Sequence, residues 1–169
     1  MIKESTHLRP RLTLADKALE LSGWATLVSI WIFVLMNYSG LPETIPIHYN
    51  VSGEPDQFGA RNTIFTLPIV ATLLFLWLTL LNLFPKFFND EPKASNEQAS
   101  RRLAHTARLF RCLKLVIALV FGLICLQTTG IAHRFVSESA PGFLPVLVAM
   151  ILTPTIYFAI QSFADKGGS

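Results

Sequence analysis

A chain of 169 residues ordinarily makes one domain, but 51% of these residues are hydrophobic and only 15% charged, too apolar for a water-soluble domain of this size. The formal net charge of +3 comes from basic residues that flank apolar runs and form no single patch, which argues against nucleic acid as a partner and for a membrane chain. The two cysteines, Cys112 and Cys125, share one apolar run at about 20 Å separation along a helix, too far for a disulfide, and read as small packing residues.

In chain order, residues 1–17 form a tail carrying Lys3, Arg9, Arg11 and Lys17. Four runs then meet the length of about 20 mostly apolar residues that a hydrocarbon core requires: Ala18 to Tyr38, Ile64 to Phe84, Cys112 to Ala132 and Phe143 to Phe163. The first is too long for a signal-peptide core and lacks an A-x-A cleavage site, so it is expected to remain as an uncleaved span. The expected architecture is therefore an all-α, polytopic four-helix membrane protein. Its parts are the tail, a unit of two helices over 18–84 with an ordered loop at 39–63, a basic segment at 85–111, two further helices over 112–163 and a tail at 164–169.

Orientation follows from lysine and arginine. The N-terminal tail holds four, the stretch from Lys86 to Lys114 holds seven, and Lys166 follows the last span. Only Arg61 and Arg134 lie on the other side. Twelve against two predicts both termini and the middle segment inside, with the 39–63 loop facing outward.

The middle segment breaks at Pro85 and Pro92, and Ser95 with Gln98 makes a capping box from which a helix runs into the third span. Its Arg101, Arg102, Arg108 and Arg111 read as inside-facing arginines that snorkel to headgroups; the other reading is a surface for anionic lipid or an acidic partner. His105 is expected to be exposed. Apart from Glu20 and Lys114 at the boundaries, the spans carry no charge, which disfavours a pump or coupled transporter. Scattered hydroxyls and amides, among them Thr26, Ser29, Thr72, Thr79, Thr128 and Thr153, are expected to hydrogen-bond between helices. Pro68 and Pro145 fall where a missing N–H costs little, whereas Pro154 should kink the last span, with Thr153 and Thr155 available to bond the freed backbone.

The loop IPIHYNVSGEPDQFGAR, from Ile45 to Arg61, holds most of the chemistry. In an extended Ile45–Asn50, alternation sets Pro46, His48 and Asn50 on one side, and Ile45, Ile47 and Tyr49 on the other as an apolar strip. After it come turn residues: Gly53 and Gly59 for positive φ, Pro55 to fix the turn, and Asp56 to bond backbone N–H groups. A loop folding back on itself brings His48, Asn50 and Asp56 together. These residues either order the loop, or present a recognition site for an extracytoplasmic peptide or lipid headgroup, with Arg61 anchoring to headgroups or to a ligand anion. A small membrane enzyme or an accessory transporter subunit centred on the same three residues is the alternative. The zinc-type ligand spacings and the nucleophile–base arrangements are lacking, so no catalytic residue, metal or cofactor is assigned. Asn50-Val51-Ser52 matches a glycosylation sequon, relevant only in a eukaryotic secretory route.

The stretch LPETIPIHYNVSGEPDQFGARNTIFTLP closely resembles the signature of a bacterial membrane family called domain of unknown function 1648. Leu41, Pro42, Ile45, Pro46, His48, Tyr49, Asn50, Gly53, Pro55, Asp56, Gly59, Arg61 and Pro68 carry the resemblance, which covers the first half of the chain. It implies a multi-pass protein of the bacterial cytoplasmic (inner) membrane. Its known relatives join this unit to a second one in immunity proteins against the sporulation-delaying toxin, so the resemblance also implies an immunity or signalling role. The glycine-arginine-threonine and tryptophan-bearing motifs of that second unit are missing here. The partners expected are the lipid bilayer, an outer peptide or headgroup and a second copy of the chain, with no nucleic acid.

Overall fold

The structure, a computed structural model, describes residues 12–83, 96–133 and 142–167. Helix α1 spans Leu14–Asn37, strands β1 and β2 span Thr44–Tyr49 and Pro55–Ala60, and helices α2, α3 and α4 span Thr66–Leu83, Asn96–Ala132 and Phe143–Gly167. Short 3-10 turns at Tyr38–Gly40 and Arg61–Phe65 join the first hairpin-bearing loop to α1 and α2. Four helices are long and apolar enough to cross a membrane. They leave wide apolar faces uncovered, among them Leu21, Ile32, Leu73, Trp77 and Ile156, which suits lipid as solvent and would aggregate in water.

The chain is not purely helical. The 39–63 loop holds an antiparallel two-stranded sheet, because the β-branched and aromatic residues of β1 favour extended backbone and β2 supplies the partner groups. Proline, aspartate and glycine in PDQFGA read as turn residues, and pairing across the hairpin overrides that local preference.

Helix α1 begins four residues earlier than the hydropathy run, at a capping box: Thr13 Oγ1 accepts from the Asp16 amide and Asp16 Oδ2 accepts from the Thr13 amide. Helix α3 runs unbroken from the basic segment through the third span, as expected. Ser95, Pro85 and Pro92 lie outside the described residues, as does the capping box expected there. Helix α3 is the centre of the bundle, touching α1, α2, α4 and β1. Cys125 is buried in its core and Cys112 half-buried, both as free thiols.

Several expected polar roles divide. Thr72 accepts from Trp31 Nε1 at 3.0 Å between α2 and α1, and Thr79 and Thr128 also bond across elements. Thr26, Ser29 and Thr153 instead bond carbonyls of their own helices, which needs no partner helix. In α4, Thr153 and Thr155 donate to Ala149 and Ile151, the carbonyls on either side of the Met150 carbonyl that Pro154 leaves without its N–H.

Of the basic residues of α3, Arg108, Arg111 and Lys114 pair with acids of α1, which the headgroup reading did not provide for; the side chains of Arg101 and Arg102 lie outside the described residues. Arg108 Nε donates to Asp16 Oδ1 at 2.9 Å, and Arg111 lies within 3.7 Å of Asp16 and 3.6 Å of Glu20. Lys114 Nζ donates to Glu20 Oε1 and, at 3.2 Å, to Thr79 Oγ1, and stands 4.8 Å from the centre of the Phe75 ring. Trp24 donates to the same Glu20 oxygen and packs edge-on to Phe75. Acids four apart on α1 thus meet bases three apart on α3, each set on one helical face. His105 is half-buried and not exposed, because α3 is packed on several sides.

Lys114 is only 1% exposed, and Glu20 supplies the carboxylate opposite it. Glu20→Ala should destabilise the protein by about 3 kcal/mol, read as a lower melting temperature in detergent. The double variant Glu20→Gln with Lys114→Met should recover most of that loss, since the stranded charge is gone.

Candidate functional site

The hairpin is fastened at its base and presents its upper part. Ile45 is buried among Ile30, Val34, Leu41, Ile64 and Cys125, and Pro46 is buried beside it. Tyr49 reaches α3, its hydroxyl 3.0 Å from Thr128 Oγ1, itself buried. The strict alternation expected for Ile45–Asn50 does not hold. The register passes from Pro46↔Phe58 to His48↔Gln57 and then to Tyr49↔Pro55, so Ile47 and Asp56 are each an extra residue in a bulge. Ile47 is thereby released to a half-exposed position, while Ile45 and Tyr49 face the bundle.

The turn is held by Asn50. Its Oδ1 accepts from the amides of Ser52 and Glu54, both at 2.9 Å, and its Nδ2 donates to Glu54 Oε2 at 2.9 Å. Its backbone N–H donates to the Glu54 carbonyl, and its carbonyl accepts from the Gly53 amide. Gly53 has φ of +85°, the left-handed conformation expected for it. Gly59 does not. It lies in β2 opposite Ile45, where a Cβ would come within 3.0 Å of Ile47 Cγ2, so glycine serves close approach there. Pro55 does not fix the turn but opens β2, an edge position where its missing N–H is tolerated.

Asp56 bonds a side chain, not the backbone amides expected for it. His48 Nδ1 and Asp56 Oδ1 are 2.6 Å apart, on side chains 59% and 42% exposed. Asn50 belongs to a separate cluster with Glu54, a residue for which the sequence offered only its spacing of four. The three predicted residues are therefore neighbours on one hairpin and not one converged centre. Arg61 is at the base of the hairpin. Its amide donates to the Glu43 carbonyl at 2.9 Å, and its guanidinium stands 5.3 Å from the centre of the Tyr38 ring, which packs on Phe65. Four residues of strand, about 13 Å, separate it from His48. Among the described residues no group of three or more His, Cys, Asp or Glu is placed to hold a metal ion.

Burial pushes the Tyr49 phenol above its ordinary value of 10.0, with the Thr128 hydrogen bond opposing. The fold therefore prefers the neutral phenol.

Four helices long and apolar enough to cross a membrane, the first two joined by a polar-tipped hairpin, suit a multi-pass α-helical membrane protein. The family model described as a domain of unknown function (DUF1648) matches residues 25–72, the second half of α1, the whole hairpin and the first two turns of α2. An uncharacterised protein of Archaeoglobus fulgidus is 30% identical over 149 residues, covering 83% of this chain and 81% of its own. The chain belongs to the DUF1648 family. No solved structure matches it.

Asn50→Ala should loosen the turn by about 2 kcal/mol, seen as faster hydrogen exchange at the Ser52 and Glu54 amides. His48→Ala removes one exposed pair and should cost less than about 1 kcal/mol, leaving those amides protected. The raised Tyr49 value means its contribution is fully present below pH 10.0 and lost as pH rises through the folded value. The wild-type hairpin should therefore loosen in strong alkali, and Tyr49→Phe should abolish that step while weakening the contact with Thr128.

Proposed function

We propose that this chain is a non-enzymatic recognition protein of the cytoplasmic membrane, with both termini and the basic middle segment inside and the hairpin outside. The observation that carries the reading is a polar pair, His48 with Asp56, exposed on a hairpin whose base is buried and whose turn is internally bonded. A platform ordered before binding spends little entropy on contact with a ligand. The lysine and arginine asymmetry supports the orientation.

An extracytoplasmic peptide suits the site better than a lipid headgroup. The sheet has two strands only, so among the described residues β2 keeps an unpaired edge of backbone groups, the kind to which an extended peptide adds as a strand. His48 and Asp56 would then read polar side chains at the hairpin's upper end. Such capture is the part an immunity or signalling protein plays at the outer face.

The test has two steps. Val51, 95% exposed at the turn, is replaced by cysteine and treated in intact cells with a membrane-impermeant maleimide. Labelling is expected; labelling only after permeabilisation would overturn the orientation. A photo-reactive residue at Val51 should then cross-link a peptide in living cells, with Asp56→Ala cutting the yield about fivefold at equal protein level. Equal yields from both chains, or cross-links to lipid alone, would end the peptide reading.

A further inference from the structure

The open edge of the hairpin is selective in its chemistry. Strand β1 packs on α3, and β2 reaches the bundle chiefly through β1. The Arg61 amide donates to the Glu43 carbonyl, which makes Glu43 and Arg61 a hydrogen-bonded pair. Alternation along an antiparallel ladder then turns the backbone groups of Gly59 towards β1 and those of Phe58 and Ala60 away from it. Pro46, opposite Phe58, fits that pattern because it has no N–H to give. The Ala60 carbonyl accepts from Thr63 Oγ1 at 2.7 Å. That leaves the Phe58 amide and carbonyl and the Ala60 amide facing the open edge.

Phe58 is itself 61% exposed, a large aromatic side chain beside backbone groups that need partners. Lipid chains cover a ring but leave its amide and carbonyl unbonded, whereas an added strand satisfies both. The cross-strand neighbours that suit an aromatic residue are aromatic or β-branched. Two positions earlier in β2 stands Asp56, and among the described residues only its Oδ1 is bonded, by His48 Nδ1. Residues 38–65 carry Glu43, Glu54 and Asp56 against Arg61, and residues 133–142 add one charge of each sign, Glu138 and Arg134. With histidine neutral, the two connections at this end of the bundle are negative in sum, which favours a basic ligand.

We propose that the peptide captured at β2 lays an aromatic or β-branched side chain against Phe58 and a lysine or arginine against Asp56. At a rise of about 3.3 Å per residue, Phe58 and Asp56 are about 7 Å apart, so the two peptide residues lie within three positions of each other. The proposal rests on peptide recognition as the function and names what that site selects.

The experiment is an array of short random peptides probed with the purified full chain in neutral detergent. Bound peptides should carry a basic residue within three positions of an aromatic or β-branched one, each enriched about threefold over the array average. Phe58→Thr, which keeps strand propensity, should lose the hydrophobic preference alone, and Asp56→Lys should exchange the basic preference for an acidic one. Both side chains are exposed, so folding is not at stake. Methylating every second backbone nitrogen of a bound peptide should abolish binding in one frame and spare it in the other, because a strand bonds its neighbour through alternate residues. Equal loss in both frames overturns addition at the edge. Bound peptides without these preferences, or preferences unchanged in both variants, overturn the selectivity and leave peptide recognition standing. An array on which no peptide is bound overturns both.

Discussion

The contact between Glu20 on α1 and Lys114 on α3 is the constraint on which the rest of the bundle depends. Apolar side chains do little to drive helices together in lipid, because hydrocarbon is as good a neighbour as another helix. Directional polar contacts therefore choose the partners. Lys114 makes that choice for three elements at once: it bonds Glu20 of α1, bonds Thr79 of α2 and faces the Phe75 ring of the same helix. With α1 and α2 fixed on α3, the ends of the loop between them are fixed as well. Helix α4 packs against α3 and remains largely uncovered elsewhere.

From that frame the hairpin follows. Its two ends leave α1 and enter α2, and Leu41, Ile45 and Ile64 fill the space between the helix ends. The bulges at Ile47 and Asp56 let Ile45 and Tyr49 both point inward while the histidine and aspartate meet on the exposed side. An exposed ion pair of this kind contributes little stability. Asn50 and Gly53 hold the turn and Tyr49 ties the hairpin to α3, without help from the His48–Asp56 pair.

Two charged regions thus lie at opposite ends of the apolar run of α3, and they differ in kind. Around Arg111 the charges are recessed between helices, and those helices would have to separate to release them. Around His48 the groups are accessible and locally supported.

Much of this was legible in the residues alone. Hydropathy over 20-residue windows located the four helices, since length and apolarity are local properties that lipid demands of any span. The continuous helix from the basic segment into the third span was legible because no breaker interrupts it, and Gly53 because a tight turn needs its positive φ. The β2 strand was not, because Pro55, Asp56 and Gly59 disfavour strands locally and only pairing with β1 stabilises one there. The bulges were equally hidden, since register depends on what both strands pack against. Tertiary structure alone decided that Asp16 and Glu20 meet Arg108, Arg111 and Lys114. Their spacings of four and of three place each set on one helical face, but which faces meet depends on the packing of residues some ninety positions apart.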